Sequence, residues 1–184
     1  MTVLSRDERV AMARLRALLE LLPTALDRQI AGTGLTSFEY SLLEAIHDAD
    51  GGRLRLTALA SRTNATLPRL SRVVTGLERK GLVQRVACEE DARATNAVLT
   101  DQGSRAYRDG LPVYERAIRS TVLDGLGAAD LQALADLSFT ILSRLDPDRR
   151  LAITSDVPDP VAPSASDACP ADPPTGCPAD PATA

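Results

Sequence analysis

Arginine side chains are concentrated in one short segment of the chain, TLPRLSRVVTGLERKGLVQR, at residues 66–85. A guanidinium group can pair with phosphate oxygens or donate two hydrogen bonds to a guanine edge, so this composition indicates nucleic-acid binding rather than catalysis. The whole chain has a net charge of −4, but residues 53–93 hold nine cationic side chains against four acidic ones, a local net charge of +5. The net negative charge of the whole chain therefore conceals a positively charged central segment.

The same segment has the apolar spacing of a helix with one buried face. The apolar stripe consists of Leu70, Val73, Val74 and Leu77, and the cationic side chains that stand off it are Arg69, Arg72 and Arg79. Thr66 has the position of an N-cap, and Gly81 follows the last turn, where a left-handed residue is needed. The pattern predicts a helix from about Thr66 to Lys80 with an exposed arginine face.

Three further elements are predicted before this helix. Thr36 and Glu39 have the spacing of a capping box that begins a helix. Its inner-face residues are Phe38, Leu42 and Ile46. Residues 53–56, RLRL, alternate polar and apolar side chains, which predicts a short half-buried strand. Thr57 can cap a short helix that continues to about Arg62.

Two strands and two long helices are predicted on the C-terminal side. The strands cover about residues 82–88 and 95–99, and the charged turn EEDARA joins them. Thr100 can cap a long helix in which Pro112 is expected to produce a kink. A last helix carries apolar residues at helical spacing, namely Leu131, Leu134, Leu137, Ile141 and Leu145.

The remaining composition indicates an aliphatic, helical body. Hydrophobic residues make up 44% of the 184 residues, aromatic residues only 3%, and tryptophan is absent. A first helix is predicted from about Arg6 toward Ile30, and Pro23 should kink or break it. No apolar run reaches the roughly 20 residues of a membrane span, and the charged start of the chain does not fit a signal peptide. We therefore expect a cytoplasmic protein with no membrane partner.

The C-terminal residues 148–184 differ from the rest of the chain. Eight of the 12 prolines lie between Pro158 and Pro181, among Ala, Asp and Ser. So few large apolar side chains cannot offset the entropy of ordering the segment, which predicts a disordered tail. The motif CPADP occurs twice, at Cys169 and Cys177. These thiols could form a disulfide or hold a metal, but no histidine or second CxxC accompanies them, so an unstructured repeat is favoured.

The order helix, strand, helix, helix and two-stranded hairpin is that of a winged helix-turn-helix. In this unit the second helix of the pair lies in the DNA major groove, and the hairpin tip reaches the nearby backbone or minor groove. The fold class is therefore predicted as mainly α with a small β wing, and the local basic excess supplies the sequence-independent part of DNA affinity.

Three stretches carry a family resemblance that covers residues 35–145. They are LTSFEYSLLEAI at residues 35–46, LTALASRTNATLPRLSRVVTGLERKGLVQR at residues 56–85 and CEEDARATNAVLTDQG at residues 88–103. As a set, they resemble the MarR family of bacterial transcriptional regulators. The resemblance implies a homodimer in which residues 1–35 and 100–147 form a helical dimerisation region. Each protomer then presents residues 36–99 as its winged helix-turn-helix.

The resemblance also implies which residues contact DNA. The family's recognition helix falls on Thr66, Leu67, Pro68, Arg69, Ser71 and Arg72, and its wing residues fall on Asp91 and Arg93. Arg69 and Arg72 are expected to reach guanine edges or phosphates, and Thr66 to contact a phosphate while capping the helix. Arg93 is the expected minor-groove residue, oriented by Asp91. Ala92 and Ala94 depart from the family's usual Arg and Gly, so the wing is expected to bind DNA less tightly.

The resemblance implies a double-stranded pseudopalindromic operator and a small anionic or phenolic effector that releases the protein from it. Three alternatives stay open at this point. The other arginines, among them Arg85, fit a structural role, with phosphate contact as the alternative. Tyr40, Tyr107 and Tyr114 fit core packing, with an effector cleft as the alternative. The winged helix itself could serve protein contacts without DNA binding, with the proline-rich tail as a docking segment.

An enzymatic function finds little support in the sequence. The single histidine, His47, is near the end of a predicted helix, where a cation favours the helix dipole. There is no glycine-rich phosphate loop, nucleophile elbow or metal-spaced cluster. We therefore expect no enzyme, no metal site and no cofactor.

Overall fold

The computed structural model describes residues 3–88 and 94–154 of the chain. These residues form α-helices with a small antiparallel sheet, which confirms the predicted fold class. In chain order the elements are α1 Arg6–Ile30, α2 Ser37–His47, β1 Arg53–Arg55, α3 Leu56–Arg62, α4 Leu67–Arg79, β2 Val83–Ala87, β3 Thr95–Leu99, α5 Asp101–Ile118 and α6 Ala128–Leu145.

Local capping signals determine several of these boundaries as predicted. At the start of α2, the Glu39 backbone N–H donates to Thr36 Oγ1 over 3.1 Å, and the Thr36 N–H donates to the Glu39 carboxylate over 2.9 Å. Thr100 Oγ1 accepts from the Gly103 N–H over 3.0 Å and begins α5. Gly81 follows α4 with φ of 72°, the left-handed conformation that glycine adopts without strain.

α1 has the predicted bounds although Pro23 does not break it, whereas the predicted start of α3 is wrong. α1 continues without a break through Pro23. Leu26 and Ile30, beyond that proline, pack against the core, and this packing holds the segment helical. Thr57 does not cap α3, which begins one residue earlier at Leu56 with Arg55 in the N-cap position. Strand pairing extends to Arg55, so the chain passes from strand to helix without a separate capping residue.

The three strands form an antiparallel sheet in the order β1-β3-β2. β3 is central, and its Ala97 pairs with Leu54 of β1 on one side and with Arg85 of β2 on the other. β2 and β3 form the hairpin of the wing. Its tip, residues 89–93, lies outside the described residues, and so do the predicted wing contacts Asp91 and Arg93.

The core lies where α2 meets α5 and the sheet. Tyr40 is fully buried and stacks between two other aromatic side chains, with ring centroids 4.1 Å from Tyr114 and 5.5 Å from Tyr107. α5 brings small residues to this contact, and a Cβ at Gly110 would lie 3.1 Å from the Tyr40 ring. Burial raises the pKa of the Tyr40 phenol. The three tyrosines therefore serve core packing, one of the two roles that the sequence left open.

The segment after α6 is folded at its start, contrary to the predicted tail boundary at residue 148. The Asp146 carboxylate accepts hydrogen bonds from the Thr154 hydroxyl and from the backbone N–H groups of Leu151 and Arg150, which lower its pKa. Ser61 Oγ of α3 donates to the Arg150 carbonyl. The contact between Ser61 and Arg150 joins residues far apart in the chain, so local composition did not reveal it. Residues 155–184 lie outside the described residues.

Candidate nucleic-acid interface

α4 is held by one apolar face and presents the opposite face to solvent. Leu70, Val74 and Leu77 are fully buried. The side chains of Thr66, Pro68, Arg69, Ser71 and Arg72, all predicted DNA contacts, are exposed. The apolar spacing explains the arrangement, because residues three, four and seven apart share one side of a helix. The structure therefore brings these five predicted site residues together on one surface.

The N-terminus of α4 differs in one detail from the prediction. Thr66 occupies the N-cap position, but its side chain makes no capping hydrogen bond, and Pro68 lies in the first turn. A proline is tolerated there because the first N–H groups of a helix have no partner within the helix. The Thr66 hydroxyl and the free N–H groups of this turn consequently face solvent, where an anionic oxygen could accept from them.

Arg69 makes a specific contact with α2 while staying exposed. Its guanidinium carbon lies 4.3 Å from the centroid of the Phe38 ring, within the range of a cation–π interaction. Phe38 is partly buried against the core, so it forms a fixed platform for the guanidinium. This contact was not foreseen from sequence, because Phe38 was assigned simply to the inner face of α2.

Lys80, just beyond α4, ties this helix to the start of α2. Its ammonium group donates to both carboxylate oxygens of Glu39, over 2.8 and 2.9 Å, and to the Gly34 carbonyl over 3.0 Å. Glu39 is also the capping-box residue of α2, so one carboxylate orients two helices. Lys80 thus has a structural role within the basic segment.

Arg85 of β2 is a largely buried cation directed at α4. Its guanidinium donates to the Ser71 carbonyl over 2.8 Å, to Ser71 Oγ over 3.2 Å and to Thr75 Oγ1 over 3.1 Å, and it forms an ion pair with Glu78. This geometry fits a structural role for Arg85, one of the two roles that the sequence left open.

The base of the wing is closed by backbone pairing. The Cys88 N–H donates to the Ala94 carbonyl over 3.0 Å, and the buried Cys88 sulfur accepts from Arg55 Nη2 over 3.8 Å. The two other cysteines of the chain, Cys169 and Cys177, lie outside the described residues.

A cavity of about 230 Å³ opens beside α2. Its lining includes Phe38, Ser41, Glu44, Asp48, Arg62 and Asn64. Burial raises the pKa of Glu44, and the neighbouring carboxylates of Asp48 and Glu115 raise it further. Because Phe38 both lines this cavity and carries the Arg69 guanidinium, the cavity adjoins the exposed face of α4.

Within residues 3–88 and 94–154, no helix is both long and apolar enough to cross a bilayer. Within the same ranges, His, Cys, Asp and Glu side chains form no group of three or more that could hold a metal ion.

The order of the elements, with an exposed basic helix beside a two-stranded wing, defines a winged helix-turn-helix of the DNA-binding class. The model of the MarR family matches residues 33–94. Over 120 residues the chain is 33% identical to the HTH-type transcriptional repressor YetL of Bacillus subtilis strain 168. This match covers 65% of this chain and 71% of YetL. The chain belongs to the MarR family and is a DNA-binding transcriptional regulator, not an enzyme.

Two solved structures from Streptomyces coelicolor are similar over most of their length. The MarR family regulator AbsC is 30% identical with a TM-score of 0.75, and the match covers 80% of this chain and 99% of AbsC. The MarR family regulator Sco3205, solved in complex with DNA, is 30% identical with a TM-score of 0.77, and the match covers 86% of this chain and 96% of Sco3205.

Proposed function

We propose that this regulator binds a pseudopalindromic operator as a homodimer and represses transcription there. The observation that supports this proposal is α4, in which Leu70, Val74 and Leu77 are fully buried while the arginine face is exposed. A two-fold symmetric protein would present two such helices to half-sites about one helical turn apart. Repression is supported by YetL, which is a transcriptional repressor. Acting on the chromosome would place the protein in the cytoplasm.

The proposed DNA contacts divide into three groups. Arg69 and Arg72 would reach guanine edges or phosphates in the major groove. Thr66, Pro68 and Ser71 would lie against the backbone and base edges beside them. Asp91 and Arg93 of the wing, which lie outside the described residues, are proposed from the family resemblance as the orienting residue and the minor-groove residue.

Homodimerisation is supported by the exposed apolar surface of α6. No residue of this 18-residue helix is buried by the described part of the chain. Its apolar residues nevertheless recur along one side, at Leu131, Leu134, Ile141 and Leu145. Leu18 and Leu19 of α1 are also exposed apolar side chains. An apolar surface of this kind is stable in water when a second copy covers it, so residues 1–35 and 100–147 are proposed as the dimerisation region.

The proposal is tested by selecting binding sites from a pool of random DNA duplexes with the purified protein. We expect enrichment of an inverted repeat whose half-sites are about 10 base pairs apart, centre to centre. Recovery of unselected sequence only would reject sequence-specific binding and favour the alternative of a protein-interaction module. The enriched duplex then serves as the operator probe in the experiments below.

Arg72→Ala and Arg69→Ala are expected to weaken binding to the selected duplex by roughly 5- to 150-fold each, the value of one good base contact. Fluorescence anisotropy measures the affinity, and thermal unfolding measures the fold. Arg72→Ala should leave stability nearly unchanged, whereas Arg69→Ala should lose about 0.5–1 kcal/mol because the contact with Phe38 disappears.

The matched control for these variants is Arg108→Ala, which removes an exposed arginine from α5. It should bind the selected duplex as the parent protein does. If Arg69→Ala and Arg72→Ala also bind like the parent, the assignment of α4 as the recognition helix is wrong.

We further propose that a small phenolic effector releases the protein by entering the cavity beside α2. The Phe38 ring offers a stacking surface, and Ser41 and Asn64 offer hydrogen-bonding groups. The lining carries the two carboxylates of Glu44 and Asp48 against the single guanidinium of Arg62, so of the two effector classes implied by the family a neutral phenol fits better than an anion. A ligand against Phe38 would disturb the platform of Arg69.

Phenol at saturating concentration is therefore expected to weaken binding to the selected duplex by roughly 5- to 150-fold, the usual range of an allosteric coupling. Benzoate should have a smaller effect. Ala45→Phe places a ring in the cavity and should abolish the response to phenol. A full response in Ala45→Phe would show that the effector binds elsewhere.

A further inference from the structure

Arg85 contacts a single side of α4 over two turns. Its acceptors on that helix belong to Ser71, Thr75 and Glu78, which are four and three residues apart and so lie on one face. The Arg85 backbone N–H also donates to Glu78 Oε1 over 3.1 Å, so side chain and main chain are both joined to the helix. This set of bonds fixes the rotation of α4 about its own axis relative to the wing.

These contacts prevent the Arg85 side chain from binding a DNA phosphate. Its side chain is three-quarters buried, and both terminal nitrogens already donate to α4. The Glu78 carboxylate neutralises its charge locally. An arginine that contacts a phosphate directly would instead be exposed with at least one free nitrogen edge, as Arg72 is.

The bond to Ser71 determines how that hydroxyl can act. A guanidinium is only a donor, so when Arg85 Nη2 donates to Ser71 Oγ the hydroxyl keeps its own proton for another acceptor. Among the described residues, Ser71 Oγ donates to no acceptor. Ser71 is exposed on the same surface as Arg72. Its proton is thus available to an acceptor outside the protein, such as a phosphate oxygen or a purine N7.

We propose that Arg85 is a positioning residue for operator recognition: it sets the rotation of α4 and orients Ser71 as a hydrogen-bond donor to DNA without contacting DNA itself. This inference rests on the proposed function, because it requires that α4 reads a specific sequence. It adds a specificity-determining pair, Arg85 and Ser71, in which one partner lies outside the surface that touches DNA.

The first test separates positioning from charge. Arg85→Lys keeps the positive charge but cannot reach all its acceptors, and Glu78→Gln removes a negative charge from the helix that faces DNA. Positioning predicts that both variants lose roughly tenfold in the preference for the selected duplex over a scrambled duplex of equal composition. A purely electrostatic role predicts full activity for Arg85→Lys and tighter binding for Glu78→Gln, and either result would overturn the proposal.

The second test uses the salt dependence of binding. Loss of one phosphate contact lowers the slope of log affinity against log salt concentration by about 0.9. Arg85→Ala is expected to keep the parent slope and its affinity for the scrambled duplex, while losing affinity for the selected duplex. A slope reduced by about 0.9, with equal losses on both duplexes, would identify Arg85 as a phosphate contact instead.

The third test is a double-mutant cycle of Arg85→Lys and Ser71→Ala. If Arg85 acts through Ser71, the loss of sequence preference in the double variant is smaller than the product of the two single losses. Independent losses would refute the coupling. Gln84→Ala, an exposed neighbour on the same strand, is the control and should keep the parent preference.

Folding and function are separated by the remaining measurements. Circular dichroism and thermal unfolding identify any variant that unfolds. The role of Arg85 is then judged from the sequence preference of Glu78→Gln and Arg85→Lys, because these substitutions change side-chain size least. A parent protein without preference for any selected duplex would reject the proposed function. A parent with a clear preference that Arg85→Lys and Glu78→Gln share would reject only the role of Arg85.

Discussion

Replacing Leu134 and Ile141 together with glutamate is expected to convert the protein to a monomer and to weaken operator binding by roughly 10²- to 10⁴-fold. The two side chains lie on one side of α6 and are 46% and 42% exposed in the single chain. A second copy that covers them would have to bury two carboxylates in an apolar contact. Once the dimer dissociates, each winged helix binds its half-site alone and the gain from simultaneous binding is lost. Light scattering measures the molar mass, and anisotropy the affinity.

The control for this experiment is Gln132→Glu, which adds one negative charge to the opposite side of the same helix. It should stay dimeric and bind the selected duplex as the parent does. A parent protein that is monomeric at micromolar concentration, or a double variant that stays dimeric, would contradict the assignment of this surface.

Gly103→Ala is expected to destabilise the fold by about 1–3 kcal/mol or more, because the added methyl group meets backbone. A Cβ at this position would lie 1.9 Å from the Leu82 carbonyl oxygen and 2.9 Å from its carbonyl carbon. That oxygen cannot move away freely, because it accepts from the Thr100 N–H over 3.1 Å and from the Thr100 hydroxyl over 3.2 Å. Thermal unfolding at a constant protein concentration should show a decrease of several degrees.

Gly76→Ala is the matched control within α4. A Cβ at Gly76 would meet nothing within 4 Å, and the residue has helical geometry. Alanine should therefore raise stability by about 0.5–1 kcal/mol, since glycine loses more backbone entropy on folding. Equal melting temperatures for Gly103→Ala and the parent would mean that α5 and the Leu82 backbone can separate at little cost.

Much of the fold could be predicted from sequence because its signals are local. The Thr36 and Glu39 capping box, the Thr100 cap and the left-handed Gly81 each depend on residues within four positions of one another. The buried face of α4 follows from the spacing of Leu70, Val74 and Leu77 in the same way. Local rules were insufficient at two places: packing against the core keeps α1 helical beyond Pro23, and strand pairing up to Arg55 determines the start of α3 in place of Thr57.

The candidate site was predicted in part for the same reason. The exposed positions of Arg69, Ser71 and Arg72 follow from helical periodicity. Their partners do not, because Phe38 and Arg85 belong to other elements and come near α4 only when the helices and the wing pack. A sequence shows that Arg85 is cationic, but it does not show that Glu78 and Ser71 already occupy its guanidinium.

The sequence by itself determined the order of the elements, the apolar faces of the helices and the surface on which Arg69 and Arg72 lie. These properties arise from hydrogen bonds and side-chain spacing within single elements. Only the tertiary structure decided that Arg85 supports α4 from the wing, that Phe38 carries Arg69, and that Gly103 must lack a side chain. Each of these depends on atoms brought within a few ångströms of one another by packing, and no pattern along the chain encodes such distances.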